Sequence, residues 1–120
     1  DLHRRRHSFP TRRSSDLARQ ARTLATGMVF GTPECPLTPL NVDWDLAFIQ
    51  QMCQGRLAEV DDFDIEAISR AAGRSTHEIR TWVAAFAALA AIGPYQARQD
   101  YYRPINEWIA GYGVVSAQAQ

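Results

Sequence analysis

Ser75-Thr76-His77-Glu78-Ile79-Arg80-Thr81-Trp82-Val83-Ala84-Ala85-Phe86-Ala87-Ala88-Leu89-Ala90-Ala91-Ile92 is the longest uninterrupted helical pattern in the chain. Ile79, Trp82, Val83, Phe86, Leu89 and Ile92 recur at helical spacing, which draws one apolar face. Alanine fills most of the remaining surface, so the pattern predicts a helix buried nearly all round. A carboxylate, Glu78, stands in its first turn. Ser75-x-x-Glu78 is a capping-box pattern, in which the glutamate returns a bond to the N-cap amide. From the residues alone, Glu78 is either such a cap or a ligand.

On the N-terminal side, Gly73 separates this helix from a shorter one over 64–72. Asp61, Asp62, Asp64 and Glu66 open that segment, and Ile65, Ile68 and Ala72 share a face. Acids in a first turn complement the helix dipole, and their spacing fits no calcium loop. Further upstream, Asn41 is the predicted N-cap of a helix carrying Trp44, Phe48 and Met52, with Leu46, Ile49 and Cys53 beside them; Gly55 is its stop. Such a stripe is ordinarily core. Pro33, Pro36 and Pro39 forbid regular structure between 31 and 40, so an ordered loop is expected there ahead of a PxxP ligand. Thr26–Gly31 reads as a short strand between glycines. Beyond Gly93-Pro94, Gln96–Arg103 and Trp108–Val115 read as strands, with Gly111 and Gly113 marking a bulge or a close backbone approach. The expected architecture is α/β: strand, proline-rich loop, three helices and two C-terminal strands, part of a larger α/β domain.

The formal charge is zero but unevenly spread. Residues 1–17 hold five arginines and two aspartates, a net +3; the rest hold eight arginines against eleven acids, a net −3. The mildly acidic bulk argues against nucleic acid as partner. Cys35 and Cys53 make no metal-spacing motif and read as free thiols of a reducing cytoplasm, ahead of a disulfide. No apolar run reaches membrane length.

The segment 1–17 has no usable periodicity and reads as disordered by composition, with a transit peptide or nucleic-acid arm as alternatives. His7–Leu17, His-Ser-Phe-Pro-Thr-Arg-Arg-Ser-Ser-Asp-Leu, resembles the conceptual translation of a common sequencing adapter over all eleven residues. The expectation is a foreign segment at 1–17 and a truncated native chain over 18–120. His3 and His7 then drop out as ligand candidates.

Asp64–Val83 also has the helix, glycine turn and second helix of a DNA-binding pair. Against that stand the alanine-rich outer face, the few basic residues, Arg74 and Arg80 among them, and the acidic balance.

A different resemblance spans residues 25–117. Gly27-Met28, then Leu40-Asn41-x-Asp43-Trp44-Asp45-x-x-Phe48, then Ala72-Gly73-x-x-x-x-Glu78-Ile79-x-x-Trp82, then Tyr102-x-Pro104 and Gly111-x-Gly113-Val114-Val115 follow one another in order. In that order they resemble the C-terminal part of the catalytic chain of class III extradiol ring-cleavage dioxygenases, the type of the protocatechuate 4,5-dioxygenase β chain. The resemblance implies a non-heme iron enzyme whose ferrous ion, Fe(2+), is held by two histidines and one carboxylate. It places that carboxylate on Glu78, with both histidines outside this chain. It implies a catechol-like ring and O2 as substrates, cleaved beside the diol, and leaves a homo-oligomer or a small partner subunit open. His77 lies about 100° round the helix from Glu78 and does not converge with it. Phe30 stands where the family carries its acid–base histidine, and a phenyl ring cannot move protons. An inactive relative that keeps the fold for assembly is therefore the alternative, and this stretch alone is expected to be inactive.

Overall fold

The computed structural model describes residues 10–120. Helix α1 (Pro10–Val29) leads through the proline loop to α2 (Val42–Cys53). A 3₁₀ turn (Ala58–Asp62) precedes α3 (Ile65–Ala72), and a second (Arg74–Ile79) runs into α4 (Arg80–Ile92). The chain closes with β1 (Tyr95–Ile105), a 3₁₀ turn (Asn106–Trp108) and β2 (Ala110–Ala119), an antiparallel pair. The architecture is α/β, four helices against one two-stranded sheet among the described residues.

The predicted stops and starts fall where local chemistry put them. Asn41 caps α2, its Oδ1 accepting from the Trp44 amide at 3.0 Å. Asp64 caps α3 by accepting from the Glu66 amide at 2.9 Å. Gly73 ends α3 at φ 86°, a left-handed conformation that favours glycine. Residues 31–41 carry no helix or strand, as three prolines require. Cys35 and Cys53 are both free thiols.

Three expectations are corrected. Thr26–Gly31 is not a strand: α1 continues through Val29, and the Thr26 hydroxyl donates to the Arg22 carbonyl one turn back. The apolar run there is too short to override the alanine-containing helix before it. Gly27 is where α1 meets the hairpin, since a Cβ on it would collide with the Glu107 carbonyl. Of the segment read as disordered, residues 1–9 lie outside the described residues, but 10–17 belong to α1. Finally, α4 is not buried all round. Phe86 is buried, while Ile92 is 77% exposed and the alanines of the back face are open. The two strands cover one side of the helix and no described element covers the other.

The core sits where α2, α4 and the sheet meet. Phe48, Met52 and Phe86 are buried together, packed by Trp44, Leu57, Val60, Phe63, Ile79, Trp82, Val83, Tyr95, Ala97 and Val115. Trp44 stacks on Phe48 at 5.7 Å, and Phe48 meets Trp82 edge-on at 6.3 Å. Such pairs add about 0.5–1.5 kcal/mol each beyond area burial. The predicted α2 stripe is thus core.

The pairing of β1 with β2 slips by one residue between Gln99 and Tyr101. This bulge reverses the in–out alternation along β1. Plain alternation from Tyr95 would turn Tyr101 towards α2 and Tyr102 away. With Asp100 as the extra residue, Tyr102 pairs with Gly113 and faces α2, while Tyr101 is exposed. The Asp100 carboxylate accepts from the Ser116 hydroxyl across the strands and from Arg98 Nε at 2.8 Å.

Candidate functional site

Three segments wall a cleft of about 250 Å³. Helix α2 contributes Trp44, Asp45, Phe48 and Ile49; the 3₁₀ turn and first turn of α4 contribute Thr76, Glu78, Thr81 and Trp82; the hairpin contributes Tyr102, Ile109, Gly111 and Gly113. The lining is therefore part aromatic, and it carries hydroxyls and two carboxylates, Asp45 half-buried and Glu78 exposed. Glycine brings the hairpin in close. A Cβ on Gly113 would stand 3.1 Å from Ile49 Cδ1 and 3.4 Å from the Trp82 ring. Ile109 adopts φ 53°, ψ 27°, a left-handed conformation that costs a β-branched residue about 1–3 kcal/mol. The strained residue turns the 3₁₀ segment into β2 at the cleft wall.

Tyr102 Oη donates to Asp45 Oδ2 at 2.5 Å, joining residues 57 apart in sequence. Gly111 backs this pair: a Cβ there would lie 2.5 Å from both oxygens. Burial pushes the Asp45 carboxyl above its ordinary range, against the opposing pull of the Tyr102 hydrogen bond. Burial also pushes the Tyr102 phenol well above its ordinary range, and the adjoining Asp45 carboxylate adds to the shift. Both residues lie within the stretches that carry the family resemblance, and the sequence assigns neither a role. The signal available was the pair of glycines at 111 and 113, which required something close on the facing elements.

Glu78 lines the cleft and is exposed to solvent, at the rim. It stands in the last turn of the 3₁₀ segment, just short of α4, where the sequence predicts a helix from Ser75 onward. Its backbone carbonyl accepts from the Thr81 hydroxyl at 2.8 Å. The capping-box reading turns on the side chain of Ser75, which lies outside the described residues. His77 points elsewhere: its Nε2 is 2.9 Å from Ser69 Oγ on α3, and it lines a separate hollow with Ile65 and Ile68. This contact ties the 3₁₀ segment to α3. Phe30 is buried just past α1 and is not among the residues that line the cleft with Glu78. The free face of α4 is made of alanines, Ala84, Ala85, Ala87, Ala88 and Ala91, which carry none of the polar or basic groups that a recognition helix presents to DNA.

Among the described residues, no three His, Cys, Asp or Glu side chains converge to hold a metal ion. Asp45 and Glu78 share one cleft but form no complete ligand set. Among the described residues, no helix is long and apolar enough to cross a membrane. Chemically, the cleft can sandwich a flat ring against Trp44, Phe48 and Trp82, while its oxygen-rich rim accepts hydrogen bonds from ring hydroxyls.

The sequence model of one family, described as the catalytic LigB subunit of aromatic ring-opening dioxygenase, matches residues 7–113. Among curated proteins, a 2,3-dihydroxyphenylpropionate/2,3-dihydroxicinnamic acid 1,2-dioxygenase of Azotobacter vinelandii is 78% identical over 101 residues, covering 84% of this chain and 32% of its own length. Proteins of the same description from Dechloromonas aromatica and Xanthobacter autotrophicus are 76% and 66% identical, covering 83% and 84% of this chain and 32% and 33% of their own lengths. The chain spans about a third of the length of the curated relatives it matches.

Proposed function

The chain belongs to the family of LigB catalytic subunits of aromatic ring-opening dioxygenases, and from that premise we propose that it supplies one wall of an extradiol active site. In this reading the whole protein opens a catechol-type ring beside its two hydroxyls, using O2 and a ferrous ion. The similarity to dioxygenases of 2,3-dihydroxyphenylpropionate suggests a catechol bearing a short acid side chain as substrate. The observation that carries the reading is the position of Glu78. The residue that the family resemblance assigns as a metal ligand stands on the rim of a cleft lined by aromatic rings.

The residues of this chain do not by themselves fit a ferrous ion. They offer one carboxylate to a set that needs two histidines as well, and His77, held by Ser69, is turned away from Glu78. We assign both histidines to sequence outside this chain and the boundary of the native segment to Ala18. What the chain's own residues do is bind and orient. Trp44, Phe48 and Trp82 take the faces and edges of the ring, and closing the hairpin over α2 excludes water from one side. The inactive-relative reading rests on Phe30. It is carried by motif order alone, since Phe30 does not line the cleft. We place the protein in the cytoplasm on the strength of its free thiols.

The test is metal content and turnover in the full-length protein. Glu78→Ala is expected to bring bound iron to background and abolish ring opening, read by elemental analysis and by the absorbance of the ring-opened product. Retained iron with retained turnover would sink the assignment of Glu78.

A further inference from the structure

We propose that Asp45 and Tyr102 are positioning residues that latch the β1–β2 hairpin onto α2 and so set the width of the cleft for an aromatic diol. The inference rests on the reading of this cleft as a diol site. Two tyrosines of β1 reach α2. Tyr95 Oη donates to the Met52 carbonyl at 2.5 Å near the C-terminal end of the helix, away from the cleft. Tyr102 Oη donates to Asp45 Oδ2 inside the cleft. A regular strand could not face both inward, because they are seven residues apart. The bulge at Asp100 supplies the missing half-period, and it is pinned by Ser116 and Arg98. Gly111 then admits the β2 backbone against both oxygens. Three separate devices thus serve one contact.

The contact decides where the hairpin stands. Its residues Ile109, Gly111 and Gly113 form the cleft wall facing Trp44, Phe48 and Trp82. If the latch opens, the wall retreats and the ring loses its far contact, while Glu78 on the opposite segment keeps its place. The loss therefore falls on diol binding and leaves the metal ligand alone. Tyr102 uses its one proton on Asp45, so the pair meets the cleft only with acceptors, which suits a ring that carries hydroxyl donors.

The experiment uses the full-length iron-loaded protein and 2,3-dihydroxyphenylpropionate. Tyr102→Phe is expected to raise KM about tenfold, the worth of one hydrogen bond of about 1.4 kcal/mol, with kcat within about twofold. Asp45→Leu behaves alike. Asp45→Asn keeps an oxygen that accepts from Tyr102 and recovers most of the loss. Gly111→Ala forces the pair apart by a separate route and reproduces the rise in KM, so the inference stays testable if another variant fails to fold. Quenching of tryptophan fluorescence by the same diol in iron-free protein should weaken by the same factor. An unchanged KM in Tyr102→Phe and Gly111→Ala overturns the latch. So does Asp45→Asn matching Asp45→Leu, which would make the charge the active feature. A wild-type protein that opens no ring defeats the functional reading, and the quenching series still judges the latch.

Discussion

Tyr102 sits between two demands. Its hydroxyl is drawn into a half-buried cleft, and the acceptor waiting there is a carboxylate that itself resists burial. Both groups are shifted towards their protonated forms, so the sign of the pH dependence is the same for each. Stability from Tyr102 is fully present below the ordinary tyrosine value of about 10 and is lost as pH rises through its raised value. Stability from Asp45 is fully present below the ordinary aspartate value of about 3.9 and is lost as pH rises through its raised value. A spectrophotometric titration of wild type minus Tyr102→Phe should therefore show one phenol ionising above pH of about 10. A difference step at or below that value would show the phenol neither buried nor bonded to Asp45 in solution. None of this was legible in the sequence. Nothing near Asp45 announces a partner 57 residues away, and simple alternation in β1 selects Tyr101 as the inward residue.

Elements were legible where the chain signals them locally. Asn41, Asp64 and Gly73 each act on amides or angles within a few residues of themselves, and each sits where the local pattern puts it. Asn41 does more than cap α2, since its Nδ2 also donates to the Ala71 carbonyl at the end of α3 at 2.9 Å. Asn41→Ala should accordingly cost about 1–2 kcal/mol in urea denaturation, one cap and one tertiary bond. Asn41→Ser, which keeps the cap alone, should cost about half as much; equal losses would show that the bond to Ala71 contributes nothing. Illegible elements had non-local causes. The Thr26–Gly31 segment is decided by the helix that runs into it and by the seat of Gly27 on the hairpin turn. The exposed back of α4 is decided by what packs on it, which alanine does not specify. The bulge at Asp100 has no signature beyond an acid that a serine on the facing strand can reach.

At the scale of the molecule, the shape is open. The radius of gyration is 19.1 Å, against roughly 14 Å for a compact domain of this length. Among the described residues, only Met52 is fully buried of the large side chains. One small core therefore holds α2, α4 and the hairpin, with α1 attached through the hairpin turn at Gly27. The family and fold class could be read from the chain because helix periodicity and the order of short motifs survive without the rest of the protein. The assembled cleft could not, because its walls come from three distant segments.

That separation has a kinetic meaning. The hairpin joins neighbours and can close in about 1–10 μs, and each helix forms locally as fast or faster. The bond from Asp45 to Tyr102 must close a loop of 57 residues, and the entropy of that closure is recovered only when the pieces it joins already exist. The latch should be the last thing the chain builds and the first it lets go. In stopped-flow experiments, Tyr102→Phe is expected to leave the refolding rate within about twofold and to place its loss in faster unfolding. A slowed refolding limb would move the latch into the folding nucleus. If it does form last, the chain commits to its helices and hairpin first, and the cleft is the final event of folding.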